Sequence, residues 1–199
     1  LIKEVEVEIG GQRIDKHYGR WMQVWSDLTE NNPTGASVTA GASGPGLGSN
    51  DTLFHRMSGN GTGNDGVTNT SGGIRIFVPL QFWFCRNPGL ALPLIALQYH
   101  EVKINIQFET EAKLHLGNTD FSNTEFKLWA DYIYLDTDER RRFAQVSHEY
   151  LIEQVQYQSD SITSGTAKNI QLNFNHPVKE LIWQVSNSLA EVALTTTPA

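Results

Sequence analysis

The sequence predicts an all-β fold, an antiparallel jelly roll or sandwich that carries two short helices. About seven segments alternate apolar with polar residues or are rich in β-branched and aromatic residues, as strands are. Turns and one long polar loop separate these segments, so the pattern is not one of alternating strands and helices. Only residues 15–28 and 136–144 have the spacing or the end signals of a helix.

The first two predicted elements are a strand and a helix. Over residues 3–9, Val and Ile alternate with glutamates, which indicates a half-exposed strand that ends at a Gly10-Gly11 turn. From Asp15 the apolar spacing becomes that of a helix, and Asp15 is available as its N-cap. We expect the apolar face of this helix to pack on the core rather than to bind a ligand. That face consists of Tyr18, Trp21, Met22, Trp25 and Leu28.

Residues 31–73 predict a surface loop that is mostly irregular. They hold 11 of the 17 glycines, and most of the other positions are Asn, Ser or Thr. Such a composition cannot bury enough apolar area to offset the entropy lost on ordering the chain. A short turn around Leu53 to Met57 is the anchored feature that we expect within it. The glycines do not predict a phosphate-binding loop, because no Gly-Lys-Ser/Thr sequence follows them.

Strands dominate the rest of the predicted structure. Between them, residues 136–144 predict a short helix with acidic residues in its first turn, where the helix dipole favours negative charge. The predicted strands cover residues 74–85, 99–108, 126–135, 150–157, 169–174 and 180–185.

Charge and cysteine content exclude several classes of protein. The 22 acidic and 15 basic side chains give a net charge of −7, so we expect no direct contact with nucleic acid, which needs a basic surface. Cys85 is the single cysteine, which excludes an intramolecular disulfide and a thiolate metal cluster. We expect Cys85 to be a small core residue in an aromatic strand. No apolar run approaches the roughly 18 residues of a membrane span.

No arrangement of side chains indicates catalysis, so we expect no enzymatic activity, no cofactor and no metal. The glutamates of residues 3–9 read as the solvated face of an edge strand. Arg140 to Arg142 directly follow acidic residues, which favours local pairing over an anion site. The histidines lack the spacing of metal ligands. They are His17, His55, His100, His115, His148 and His176.

Three Asn-x-Ser/Thr sequons mark candidate sites of N-glycosylation in the long polar loop. They begin at Asn50, Asn60 and Asn69. Because the loop is rich in Asn and Thr, chance alone also accounts for three such sequences.

Five strings of residues, in order, resemble the major capsid protein of nucleocytoplasmic large DNA viruses, and most of all that of algal viruses. The resemblance covers most of the chain except the polar loop and residues 109–124. The strings are Glu8–Tyr18, Gly89–Lys103, Leu135–Ala144, His148–Gln154 and Leu172–Pro177.

The resemblance implies part of a double jelly roll, and the chain reads as an excerpt of that protein. Residues 1–146 would be the later part of the first roll, and residues 147–199 the opening strands of an incomplete second roll. The resemblance also implies a structural virion protein made in the cytoplasm of the infected host cell. The subunit would trimerise into pseudo-hexagonal capsomers and tile an icosahedral shell, with minor capsid proteins above an internal membrane. The loop at 31–73 would project outward.

A second function remains open on the residues alone. A β-sandwich that binds or hydrolyses carbohydrate could use exposed tryptophans and carboxylates on one face. The two hypotheses differ in oligomeric state, because a capsid subunit forms trimers that array and a glycan-binding sandwich is expected to act as a monomer.

Overall fold

The structure is a computed structural model that describes residues 1–31, 53–58, 60–61, 64–65, 76–110, 124–162, 165 and 167–185. Its strands are β1 (Ile2–Ile9), β2 (Gln12–Tyr18), β3 (Asn60–Gly61), β4 (Asn64–Asp65) and β5 (Val102–Phe108). Its α-helices are α1 (Gly19–Thr29), α2 (Leu53–Ser58), α3 (Trp83–Arg86) and α4 (Thr137–Gln145), and a 3-10 helix covers Pro88–Leu90.

The main sheet has three antiparallel strands in the order β2-β1-β5. A two-residue turn joins β1 to β2, and its residues Gly10 and Gly11 have φ angles of 61° and 81°. Two positive φ values in succession match the tight hairpin turn whose twist fits paired strands, and glycine adopts them without strain. The turn therefore returns the chain directly along β1.

The register places a charged face and an apolar face on opposite sides of this sheet. Val7 lies between Asp15 of β2 and Ile104 of β5, and Val5 lies in the same way between His17 and Ile106. The β1–β2 register shifts between Val7 and Glu8, which leaves one residue of β2 unpaired there. Because side chains alternate along a strand, all these partners point to the same face.

The core lies between this apolar face and two helices. Trp83 and Phe82 supply aromatic cover, and Met22 of α1 completes it. At the start of α1, a Cβ on Gly19 would lie 2.1 Å from the carbonyl oxygen of Ile2, so only glycine allows this close approach of helix and strand. The buried apolar residues of the described structure are Ile2, Val5, Val7, Met22, Phe82 and Trp83.

The antiparallel sheet and the few short helices agree with the all-β prediction. The predicted strands at 3–9 and 99–108 are confirmed as β1 and β5, and the predicted helix at 136–144 is confirmed as α4. Asp136 caps α4, since its side chain accepts a hydrogen bond of 2.9 Å from the backbone amide of Glu139.

The predicted helix start at Asp15 is wrong. Residues 12–18 form β2, and the helix begins at Gly19 without a side-chain cap. The hairpin turn brings residues 12–18 alongside β1, and backbone pairing with β1 keeps Asp15 extended. The prediction that the apolar face of this helix packs on the core is correct in part. Met22 is buried and Trp21 and Trp25 are half-buried, whereas Leu28 is exposed.

Five other predicted strands are absent from the described residues. The last three residues of the predicted strand at 74–85 belong to α3 (Trp83–Arg86), and its remaining described residues form no strand. The other four segments also have no strand assigned within their described residues. A β-pattern becomes a strand only when another backbone pairs with it, and no ladder forms with these segments in the described part of the chain. The four are 126–135, 150–157, 169–174 and 180–185.

The predicted turn around Leu53 to Met57 is the helix α2, and β3 and β4 form a two-residue ladder after it. The rest of the predicted loop at 31–73 lies outside the described residues. Within the described ranges, no helix has the length and apolar composition needed to cross a membrane.

Candidate assembly surface

A polar pair lies buried on the core face of β2. Asp15 is 4% exposed and His17 1% exposed, and Nε2 of the histidine lies 2.9 Å from Oδ2 of the aspartate. The ring of Phe82 stacks on the His17 ring, with centroids 4.5 Å apart. Burying polar groups costs free energy unless they have partners, so we expect the loss of either side chain to destabilise the core.

The same aspartate contacts a distant part of the chain. Its Oδ1 accepts hydrogen bonds from the backbone amides of Lys16 (2.8 Å) and Val155 (3.1 Å). The Gln154 side-chain amide donates to the carbonyl of Ile14, one residue earlier on β2. Residues 153–157 therefore lie along β2, although they form no backbone ladder with it.

A cluster around Arg86 lies beside this contact. The guanidinium group of Arg86 lies 4.1 Å from the ring centroid of Trp25, and its Nε donates to the carbonyl of Gln81 at 3.0 Å. Its NH1 pairs with Glu153 at 3.2 Å, and the other carboxylate oxygen of Glu153 accepts from Lys179. We call these five residues the Arg86 cluster.

The hydrogen bond from Lys179, opposed in part by desolvation and aided by the nearby charge of Arg86, lowers the pKa of Glu153. A carboxyl whose pKa is lower in the folded state stabilises that state above its unfolded pKa. The stabilisation is lost as the pH falls through the lowered folded value. The Arg86 cluster is therefore intact at neutral pH and weakens in acid.

Residues 126–134 leave large aromatic side chains uncovered. Trp129 is 83% exposed and Tyr134 is 89% exposed. Contiguous patches of exposed apolar groups are typical of surfaces that pack against further protein. The exposed apolar residues of this segment are Phe126, Leu128, Trp129, Tyr132, Ile133 and Tyr134.

Residues 170–185 form a second exposed apolar segment. Trp183 is 84% exposed within it. We use the name assembly surface for the exposed apolar residues of these two segments taken together. Its members in this second segment are Ile170, Leu172, Val178, Leu181, Ile182, Trp183 and Val185.

The glutamates of β1 lie on a central strand and not on an edge, so that part of the prediction is wrong. They are paired across the sheet: the Lys16 ammonium group lies 2.9 Å from Glu4 and 3.2 Å from Glu6, and Arg13 lies 3.3 Å from Glu6. The hydrogen bond from Lys16 lowers the pKa of the Glu4 carboxyl. This face consequently carries its charges in cross-strand pairs.

The prediction for the arginine run is confirmed in two pairs. Arg141 lies 3.6 Å from Asp138, and Arg142 lies 4.0 Å from Glu139, both one turn apart on α4. These local partners satisfy the charges that would otherwise form an anion site.

The prediction for Cys85 is wrong, because the residue lies exposed in α3 and not in the core. The short helix turns its side chain away from the core that Phe82 and Trp83 occupy. Desolvation nevertheless raises the pKa of its thiol, so the thiolate is disfavoured.

The candidate glycosylation residues Asn50 and Asn69 lie outside the described residues, and Asn60 is the first residue of β3. Among the described residues, no group of three His, Cys, Asp or Glu side chains is placed to hold a metal ion.

Neither the Asp15–Val155 contact nor the Arg86–Glu153 contact was predicted from the sequence. One signal for the buried pair was present, since Asp15 and His17 are two residues apart after a hairpin turn and so share one face of a strand. Nothing local marked Glu153 as the partner of Arg86, because 67 residues separate them.

Two family models match the chain. Residues 1–136 match the one described as major capsid protein N-terminus, and residues 139–197 match the one described as large eukaryotic DNA virus major capsid protein.

Individual relatives agree with the family models. The major capsid protein of Pyramimonas orientalis virus is 57% identical over 184 residues, which cover 92% of this chain and 42% of that protein. The major capsid protein of Paramecium bursaria Chlorella virus 1 is 41% identical over 195 residues, which cover 92% and 40%. A chain of the quasi-atomic model of the PBCV-1 virus capsid is similar in structure, with a TM-score of 0.60 and 40% identity over 89% of this chain and 40% of that one.

The chain thus spans about two fifths of the length of the curated relatives that it matches. Those relatives are named major capsid proteins, which agrees with the expectation that the chain is not an enzyme. On the match over residues 1–136, the chain belongs to the major capsid protein family of large eukaryotic DNA viruses.

Proposed function

We propose that the chain is part of a capsid subunit that trimerises into pseudo-hexagonal capsomers and tiles an icosahedral virion shell. The observation that carries this proposal is the family match, which extends over both parts of the chain. The exposed aromatic residues of the assembly surface fit a chain that packs against further protein, and the rest of the same subunit is the first candidate to cover them.

The proposed architecture is a double jelly roll in which residues 1–146 belong to the first roll and residues 147–199 open the second. Two family models support a division of this kind, since one ends at residue 136 and the other begins at residue 139. The helix α4 would then connect the rolls. In this arrangement, strands from the rest of the subunit pair with the segments that have no ladder here.

The proposed setting is the capsid shell, above an internal membrane and next to minor capsid proteins. The subunit would be made in the cytoplasm of the infected host cell. The loop at 31–73 would face outward, where Asn50, Asn60 and Asn69 are accessible to glycosylation. The net charge of −7 supports an arrangement without direct nucleic-acid contact.

Sedimentation of the full-length protein tests the proposal, and the 199-residue chain serves as the comparison. We expect the full-length protein to sediment as a trimer. We expect the shorter chain to aggregate, since each large apolar side chain left in water forfeits roughly 1.5–3 kcal/mol. A full-length monomer that binds glycans would instead support a carbohydrate-binding sandwich, and a cooperatively melting 199-residue chain would contradict the proposed incomplete rolls.

A further inference from the structure

We infer that Arg86, through its ion pair with Glu153, holds residues 153–157 against β2 of the main sheet. The contact joins the part of the chain matched by the first family model to the part matched by the second. The inference concerns packing within one subunit and does not depend on trimer formation, which the sedimentation experiment tests separately.

Contacts other than the one with Glu153 already hold the Arg86 side chain in place. The Trp25 ring lies under its guanidinium group, and the Gln81 carbonyl accepts from its Nε, so two contacts from the N-terminal part fix the orientation of the side chain. A planar guanidinium group that is already held loses little further freedom when it binds a carboxylate. This distinguishes it from a surface arginine, whose ion pair contributes little because both side chains must be ordered.

A different cationic side chain contacts each carboxylate oxygen of Glu153. Arg86 lies 3.2 Å from one oxygen, and Lys179 donates to the other. With 22% of the Arg86 side chain and 36% of the Glu153 side chain exposed, the pair is partly shielded from water. One carboxylate therefore joins three parts of the chain, and removal of its charge leaves two cations facing each other.

The position of Glu153 sets how the following residues meet β2. The Val155 amide donates to Asp15, and the ring of Tyr157 lies 4.9 Å from that of Tyr18. Glu153, Val155 and Tyr157 are spaced by two, as residues on one side of an extended segment are. A shift by one residue would break the Glu153–Arg86, Val155–Asp15 and Tyr157–Tyr18 contacts together, so the ion pair acts with the other two to fix the register.

The test compares amide hydrogen exchange of residues 153–157, and above all of Val155, whose amide donates to Asp15, in the full-length protein and in three variants. These are Glu153→Gln, Arg86→Gln and the double variant. We expect each single substitution to raise exchange of this segment roughly tenfold, as expected when a charge-assisted contact is lost. Because both substitutions remove the same contact, we expect the double variant to exchange more slowly than the product of the single effects implies.

Glu149→Gln is the matched control, because Glu149 is exposed and precedes the docked segment by four residues. It should leave exchange of residues 153–157 unchanged. Arg86→Lys keeps the charge without the planar group, and it replaces Arg86→Gln in the cycle if that variant does not fold, with the same expected direction. Unchanged exchange in the single variants, or a double effect equal to the product of the single ones, would overturn the inference.

Discussion

Replacement of Phe82 with alanine is expected to lower the free energy of unfolding of the full-length protein by about 3–5 kcal/mol. Phe82 is fully buried, and its ring stacks on His17 at 4.5 Å and on Phe84 at 5.6 Å. Removal of the ring leaves a cavity under the buried Asp15–His17 pair, which the surrounding side chains cannot fill. Urea-induced unfolding followed by tryptophan fluorescence measures the change.

Phe82→Leu is the control for this prediction, since leucine keeps most of the apolar volume. We expect it to lower the free energy of unfolding by clearly less than alanine does. Equal losses for the two variants, or a loss below about 1 kcal/mol for Phe82→Ala, would mean that Phe82 is not a central core residue.

Replacement of Asp15 with alanine is expected to lower the free energy of unfolding by about 1–3 kcal/mol for each partly buried backbone amide that loses its acceptor. The substitution leaves the buried His17 ring without its carboxylate. It also leaves the Val155 amide without the acceptor that it has in this structure. The effect therefore combines a loss in the core with a loss where residues 153–157 meet β2.

Chemical unfolding of the full-length variant measures this change, and Asp27→Ala is the matched control because Asp27 lies exposed on α1. Asp15→Asn separates the two losses, since it keeps an oxygen acceptor for Val155 but removes the charge that faces His17. We expect it to fall between wild type and Asp15→Ala. If Asp15→Ala cost no more than Asp27→Ala, the buried pair would not stabilise the fold.

Elements whose signals are local were predicted correctly from the sequence. The alternation over residues 3–9 describes β1, because one face packs on the core and the other carries paired charges. The helix α4 was predicted from Asp136 and the acids that follow it, and its cap contact involves residues only three apart. In both cases the pattern and its physical cause lie within a few residues.

The start of α1 shows how a pairing partner overrides a local signal. Asp15 is a good N-cap residue and precedes a genuine helical stripe, so the spacing alone extended the helix too far back. The tight turn at Gly10 and Gly11 instead places residues 12–18 beside β1, where they pair with it as a strand. The buried Asp15–His17 pair was missed for the same reason, because a helix would not place these two residues on one face.

In the segments after residue 124 the sequence predicts strands, but the described structure contains no backbone that pairs with them. Their aromatic and β-branched residues are typical of strands, but a strand needs a second backbone, and pattern alone does not say where that backbone comes from. The Arg86 cluster is non-local in the same sense, since Glu153 meets Arg86 and Lys179 only through the fold. The composition of these segments therefore indicates that they can form strands, but it does not indicate which residues they contact.

A cryo-electron microscopy map of the full-length protein decides whether it forms the proposed capsid subunit. We expect a trimer in which residues 126–134 lie in a paired sheet and the side chains of Trp129 and Tyr134 are covered. A monomer with these two aromatic side chains at the solvent surface would contradict it.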